Sequence, residues 1–432
     1  MSAKDADTNC KKFLKWADAQ GIRTEGVKPV RFPERGLGIA ASKKIEAGET
    51  IVSVPTSALL TLDTVPVSFK NRFPANTPVQ CLFAAYLAYD GEARFRYASW
   101  KATWPTMENF EESIPLLWPA YLLGTQHSSG ATPRQSGLRH DAHGFSSLLP
   151  PSISGFWHTL PKKPQGSTDY VVEQQNLFQN QSDRLQKALD IVKQVYPSMD
   201  QKEYTYYWLV ANTRCFFYVG KDAEMPEDRN DAMALCPFAD YFNHSGDDDG
   251  CEAAFNESGY TFTTTKSYEE GEEIFICYGN HTSDLLLADY GFCPYQNKWD
   301  TLFLDDIVLQ NLNREKKQYL KDNNYLGNYR VASSGPCFRT EVAASLMYLA
   351  IEDWCTYVAG VMPPTFNQSK TDDIIADWIS QYREESVMVT KKIEKRLVSK
   401  TYEDDSRFQV LLFRWRQIAS LCSAALRALE QS

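Results

Sequence analysis

The chain carries two blocks of short β-prone segments, near residues 28–65 and 236–280, held apart by a long stretch of helical texture. The first block reads RGLGIAASKKI, AGETIVSVP and ALLTL; the second reads CEAAFN, GYTFTTTK and EEIFICYG. Short strands punctuated by glycine need partners before they are stable. Two such blocks around a helical insertion therefore read as one split domain of the α+β class. No internal repeat is evident.

The remaining chain is helical in pattern. Residues 10–20 place Phe13, Leu14, Trp16 and Ala17 at helical spacing, and Gly21 stops the run. Residues 79–123 continue with VQCLFAAYLAYDGE and a Trp/Pro-rich stretch ending PLLWPAYLLG. A segment near 125–147 is rich in Ser, Gly, His and Arg, which predicts a mobile loop. It holds His127, His140 and His143, best read as solvated side chains. Residues 170–198 predict an amphipathic helix with Leu177, Leu185, Leu189, Val192 and Val195 as its buried stripe. Residues 203–219 (EYTYYWLVANTRCFFYV) predict a buried helix. Beyond Trp299 the pattern is all helical, through Thr340–Cys355, Asp372–Val398 and Asp404–Leu429. The expected division is a split domain of residues 1–85 and 205–298, a helical insertion at 86–204, and a helical domain at 299–432.

Composition excludes several classes. Forty-five basic against 55 acidic residues leave a net charge of −10, which argues against direct nucleic-acid binding. Aromatics at 13% are too many for a disordered chain. The longest apolar stretch, Cys81–Tyr89, is too short to span a bilayer, and the N-terminus has no apolar leader pattern. Ten cysteines lie without a C-x-x-C pair, which predicts buried thiols in cytosol, nucleus or both, and no metal site.

Four segments carry polar residues that invite chemistry: PERGLGIA (33–40), NTR (212–214), FADYFNHS (238–245) and EEIFICYGNHTSDLLLADYGF (272–292). Each alone has a plain structural explanation. Gly36 and Gly38 suit a tight turn, Arg214 could pair with Asp240, and Asn243–His244 could cap a turn. Tyr278 and Tyr290 could be core aromatics. RGLG lacks the third glycine of a dinucleotide-binding fingerprint.

Together and in this order, the four segments resemble the SET-domain protein methyltransferases. The likeness is strongest to the group of the RuBisCO large-subunit methyltransferase and the fungal ribosomal-protein lysine methyltransferases. The resemblance implies a SET-type β fold split by a helical insertion and followed by an all-helical, substrate-binding domain. It implies S-adenosylmethionine as cofactor, a protein substrate presenting a lysine, and no metal. Arg214 matches the arginine that pairs with the cofactor carboxylate, a task suited to a planar charged fork. Arg35, Gly36 and Leu37 match the backbone positions at the methionine end. Asn243 and His244 match the pair that holds the ammonium and adenine. Asp240 and Thr213 match positions beside the target-lysine channel. Tyr278 matches the essential tyrosine and Tyr290 a second channel tyrosine. The zinc-binding cysteine cluster found after the SET domain in histone-type enzymes is missing.

The chemistry implied is an in-line methyl transfer from sulfur to nitrogen. Lysine has a pKa near 10.4, so a neutral amine at pH 7.4 costs about three pK units, or roughly 4 kcal/mol. A narrow apolar channel and the adjacent sulfonium both disfavour the ammonium. A tyrosine hydroxyl with a pKa near 10 suits orientation and electrostatic support better than general-base catalysis. The expected protein is a monomeric lysine N-methyltransferase of a non-histone protein, by family analogy a ribosomal protein or translation factor, with no nucleic-acid or membrane partner. Histidine methylation and a catalytically silent SET module are the alternatives. Tyr290 argues against the first; the presence of Tyr278, Arg214 and Asn243 argues against the second.

Overall fold

The computed structural model describes residues 3–33, 35–123, 147–161, 169–220, 224–228, 231–246, 250–398 and 405–431. The loop expected near 125–147 lies outside them up to residue 146, with His127, His140 and His143. The chain forms two compact units. One comprises Met1–Glu111, Gln181–Asn280 and Gln296–Lys298; the other comprises Glu112–Asn180, His281–Tyr295 and Trp299–Ser432.

The two β-prone blocks join in the first unit. The N-terminal block supplies β1 (Arg23–Thr24), β2 (Val27–Phe32), β3 (Gly36–Ala41) and β4 (Thr50–Pro55). A small ribbon, β5 (Cys215–Phe217) with β6 (Met233–Leu235), precedes β7 (Asn243–His244), β8 (Cys251–Asn256), β9 (Gly259–Thr264) and β10 (Glu273–Ile276). The main sheet runs β1-β4-β9-β8-β10-β3-β2, with β7 alongside β10. Strand β10 is antiparallel to β3, with Glu273 opposite Ala40 and Ile274 opposite Ile39. It is parallel to β7, with Phe275 opposite Asn243 and Ile276 opposite His244. Strand β4 is antiparallel to β9, placing Val52 opposite Phe262. Ile39, Val52, Phe262, Ile274 and Ile276 are all buried.

Two of the helices in this unit pack on one another. The Val79–Tyr89 helix is apolar all round and buried from Val79 to Ala88, as such a helix must be. It packs on the Gln201–Arg214 helix, whose N-terminal amides are capped by the Asp200 carboxylate. The helix expected over 203–219 stops at Arg214, and Cys215–Phe217 becomes β5, with Cys215 opposite Leu235. Consecutive aromatics in CFFYV favour a strand once a partner edge is present.

The second unit is built on the Gln368–Leu397 and Ser406–Leu429 helices, packed along one another. Asn367 and Asp405 cap them. The stripe Phe408, Leu411, Leu412, Trp415, Ile418 and Leu421 is buried, as its spacing predicts. The run Thr340–Cys355 divides into helices Phe338–Ser345 and Ile351–Val358, with Leu346 and Leu349 buried in the bend. The C-terminal region is helical with one addition. Strands β11 (Thr301–Phe303), β12 (Arg330–Ala332) and β13 (Gly335–Pro336) form a small antiparallel sheet. Strands of two or three residues are too short to leave an alternating pattern.

The β8–β9 hairpin closes at Gly259, where φ is +129° and a Cβ would lie 2.0 Å from the Val54 carbonyl oxygen. Gly259→Ala is expected to cost about 2 kcal/mol or more, read as a lower urea midpoint at unchanged m-value. An unchanged midpoint would show that β4 yields freely.

Candidate active site

Strand β10 ends just before Tyr278, and the strands bonded to it bring the motif residues together. The Tyr278 backbone N–H donates to His244 Nδ1 at 3.1 Å, and the two rings lie 5.1 Å apart. The Tyr278 hydroxyl donates to the Phe242 carbonyl at 2.6 Å. Beside them, Asn243 Nδ2 donates to Glu273 Oε1 at 2.7 Å. The other Glu273 oxygen is 2.7 Å from Arg35 Nη2; the Glu273 side chain is 5% exposed and that of Arg35 is 55%. Burial pushes the Glu273 carboxyl up, while Asn243 and Arg35 pull it back. The Arg35 guanidinium also lies over the Phe32 and Phe275 rings, at 5.7 and 5.4 Å.

The glycines of RGLG have different tasks. Gly36 holds φ at +78° with open space where a Cβ would stand. At Gly38 a Cβ would lie 2.6 Å from Glu273 Oε1, 2.7 Å from Asn243 Nδ2 and 2.8 Å from the Phe32 ring. Gly38 therefore makes room for the Asn243–Glu273 contact. Sequence reasoning missed both Glu273 and this role of Gly38. Glu273 sits in the acidic run EEGEE, where nothing local separates it from solvated neighbours. Only the β3–β10 register would have done so.

A second group surrounds Arg214 at the end of its helix. Arg214 Nη1 donates to the Asp240 backbone oxygen at 2.7 Å and lies 3.3 Å from Oδ2. The Asp240 carboxylate has no exposed surface and accepts from Trp100 Nε1 at 3.2 and 3.1 Å. Burial pushes its carboxyl up to about 6, against the pull of Arg214 and Trp100. Asp240 was expected beside the lysine channel; the structure encloses it as a support for Arg214. The Thr213 hydroxyl donates to Leu209 O at 2.8 Å within its own helix. Arg214 Nε is buried without a hydrogen-bond partner among the described residues. Just ahead of Asp240, buried Phe238 adopts φ +71°, a strained value for a non-glycine residue. The rings of Phe13 and Tyr241 pack against it.

These residues fit S-adenosylmethionine. A buried guanidinium N–H without a partner is suited to a ligand carboxylate. The open left-handed backbone at Gly36, next to half-buried Leu37, admits a close approach by a ligand. Among the described residues, no three His, Cys, Asp or Glu side chains are grouped to hold a metal. No helix among them is long and apolar enough to cross a membrane.

Tyr290 belongs to the second unit. It ends a π-helical turn, Leu286–Tyr290, that is closed by Gly291 with φ +81°. Its ring lies 6.0 Å from that of His281 and 6.4 Å from that of Phe292.

A split, interleaved sheet is the arrangement that a SET-type β fold divided by an insertion implies. Comparison with known families agrees: the SET domain model matches residues 36–279, more than half the chain. The chain belongs to the SET-domain family. Residues 300–428 match a second model, the Ribosomal lysine N-methyltransferase 2 C-terminal domain. SET domain-containing protein 4 of Homo sapiens is 25% identical over 401 residues, covering 88% of this chain and 82% of that protein. Ribosomal lysine N-methyltransferase set11 of Schizosaccharomyces pombe is 29% identical over 195 residues, covering 45% of this chain and 46% of that protein. The crystal structure of the SET domain of LSMT bound to lysine and AdoHcy has the same fold. Its TM-score is 0.58 at 14% identity, over 98% of this chain and 91% of that one.

Two outcomes are expected. Gly38→Ala should displace Asn243 and weaken cofactor binding roughly tenfold or more by calorimetry, the effect of about 1.4 kcal/mol; full affinity would dissociate Asn243 from binding. Folded Asp240 holds its proton more tightly than the unfolded chain does, so its contribution to stability falls as pH rises from about 4 to about 6. Urea unfolding should therefore show wild type gaining on Asp240→Asn when pH is lowered from 7 to 4.5. Parallel pH profiles would place the titration elsewhere.

Proposed function

We infer that the protein is an S-adenosylmethionine-dependent protein-lysine N-methyltransferase acting on a non-histone protein. A ribosomal protein or translation factor is the substrate class we propose. Support comes from the SET match, from the C-terminal match to a ribosomal lysine methyltransferase domain, and from relatives named for that activity. We assign catalysis to residues 1–85 and 205–298, and substrate binding to the helical region 299–432. The corresponding partner reading is a monomer that works on protein, not on nucleic acid or membrane, consistent with the charge of −10. Cytosol or nucleus is the proposed compartment, which suits the buried thiols of Cys81, Cys236, Cys251 and Cys422.

The observation that carries the reading is how Tyr278 is held. Its proton is committed to the Phe242 carbonyl and its backbone to His244. A hydroxyl whose proton is committed in this way suits an acceptor role toward an incoming amine or a polarised methyl better than an acid role. When bound, S-adenosylmethionine supplies an electrophilic methyl whose bonding pair stays with sulfur as the neutral amine attacks. Arg214 would hold its carboxylate through Nε, with Asp240 as the positioning residue that fixes the guanidinium. Asn243, oriented by Glu273, and His244 would bind the ammonium and adenine, and the backbone of Arg35, Gly36 and Leu37 the methionine end. Thr213 is assigned to the acceptor side, and Tyr290 is the proposed second tyrosine of the reaction.

Tyr278→Phe tests this. Transfer of radiolabelled methyl into a cell extract lacking the protein should fall by about a hundredfold or more, with cofactor affinity retained. Unchanged turnover removes the assigned role. Absence of S-adenosylmethionine binding at millimolar concentration removes the enzyme reading altogether.

A further inference from the structure

The segment His281–Tyr295, which carries Tyr290, is held in place by a helix far along the chain. Its π-helical turn Leu286–Tyr290 is an uncommon geometry of the kind that persists where the surroundings over-determine it. Two side chains of the Ser406–Leu429 helix, Arg414 and Gln417, lie three residues apart and so share a face. They reach the segment on either side of Tyr290.

Arg414 has no exposed surface. Its Nε donates to Asp284 Oδ1 at 2.7 Å, ahead of Tyr290. Its Nη1 and Nη2 donate to the two oxygens of Asp300 at 2.5 and 3.2 Å. Asp284 accepts further from the Ser152 hydroxyl, and Asp300 from the Ser283 N–H at 3.0 Å. Gln417 works on the other side. Its Nε2 donates to the carbonyls of Pro294 and Tyr295 at 2.7 and 3.2 Å, and its Oε1 accepts from Cys293 Sγ at 3.0 Å. Gln417 Oε1 also lies 3.4 Å from Arg414 Nη1, joining the two halves. Gly291, inside the segment, leaves no room for a Cβ, which would lie 2.8 Å from Ser113 Oγ. A buried ion cluster is a weak source of net stability, whereas a forked guanidinium admits only one arrangement of the groups that it joins.

We propose that Arg414 and Gln417 are positioning residues for Tyr290, so that the C-terminal helix takes part in methyl transfer as well as in substrate binding. The proposal rests on the assignment of Tyr290 made above. Its test is a double-mutant cycle in the full-length protein, with radiolabelled S-adenosylmethionine and an extract lacking the protein as acceptor. Gln417→Ala should lower the initial rate roughly tenfold while leaving the cofactor KM unchanged. Added to Tyr290→Phe, it should lower the rate by less than about twofold further, because both changes remove one function. Hydrogen exchange should accelerate across residues 283–292 and nowhere else. Arg414→Lys keeps the charge without the fork and should give the same pattern if it folds; Gln417→Ala carries the test if it does not. Multiplying effects in the double variant, or an unchanged rate for Gln417→Ala, overturn the positioning role alone. A silent Tyr290→Phe overturns the Tyr290 assignment and this proposal with it.

Discussion

Strand β10 bonds neighbours made at opposite ends of the first unit's chain. It pairs with β3, completed by Ala41, and also with β7 and β8, which begin at Asn243. Buried backbone donors and acceptors need partners, so none of these strands is satisfied until both blocks have met. The position of Tyr278 beyond β10, the facing of Asn243 and His244, and the approach of Glu273 to Arg35 all follow from that one register. A slip by one residue would turn Glu273 to the opposite face and dissolve the group.

Two arginines, Arg414 buried and Arg214 partly so, illustrate two uses of the same side chain. Arg414 meets both Asp284 and Asp300 and is bonded through Nε, Nη1 and Nη2. Arg214 shares a single carboxylate with Trp100 and keeps a buried Nε without a partner among the described residues. The first arrangement is complete, which suits a fixed joint. The second is incomplete, which suits a ligand site, since an unmet buried donor is costly until something accepts from it.

What could be read in the sequence was local. RGLG, NHS and the tyrosine after EEIFIC are contiguous patterns, and the stripe from Phe408 to Leu421 repeats at helical spacing, so these were legible without a structure. Contacts between distant segments were not. The Glu273–Asn243 bond, the clearance at Gly38 and the enclosure of Asp240 by Trp100 depend on pairings that no local pattern encodes. The end of the helix at Arg214 was hidden because CFFYV is as apolar as the turns before it. Arg414, within LLFRWRQIA, reads as a charged residue beside an apolar stripe; only its neighbours Asp284 and Asp300 show why it is buried.

The interleaved sheet also bears on how such a chain can change length. After β4 the chain leaves the first unit at Glu111 and re-enters at Gln181 before supplying β7 to β10. Closing a loop costs entropy that grows only with the logarithm of its length, about 0.6 kcal/mol for each doubling. Added residues between Glu111 and Gln181 would therefore burden sheet assembly little, provided they leave the strand registers alone. The excursion is the part of this architecture freest to lengthen, shorten or diverge, while one residue gained or lost inside β3 or β10 would disturb the whole catalytic group.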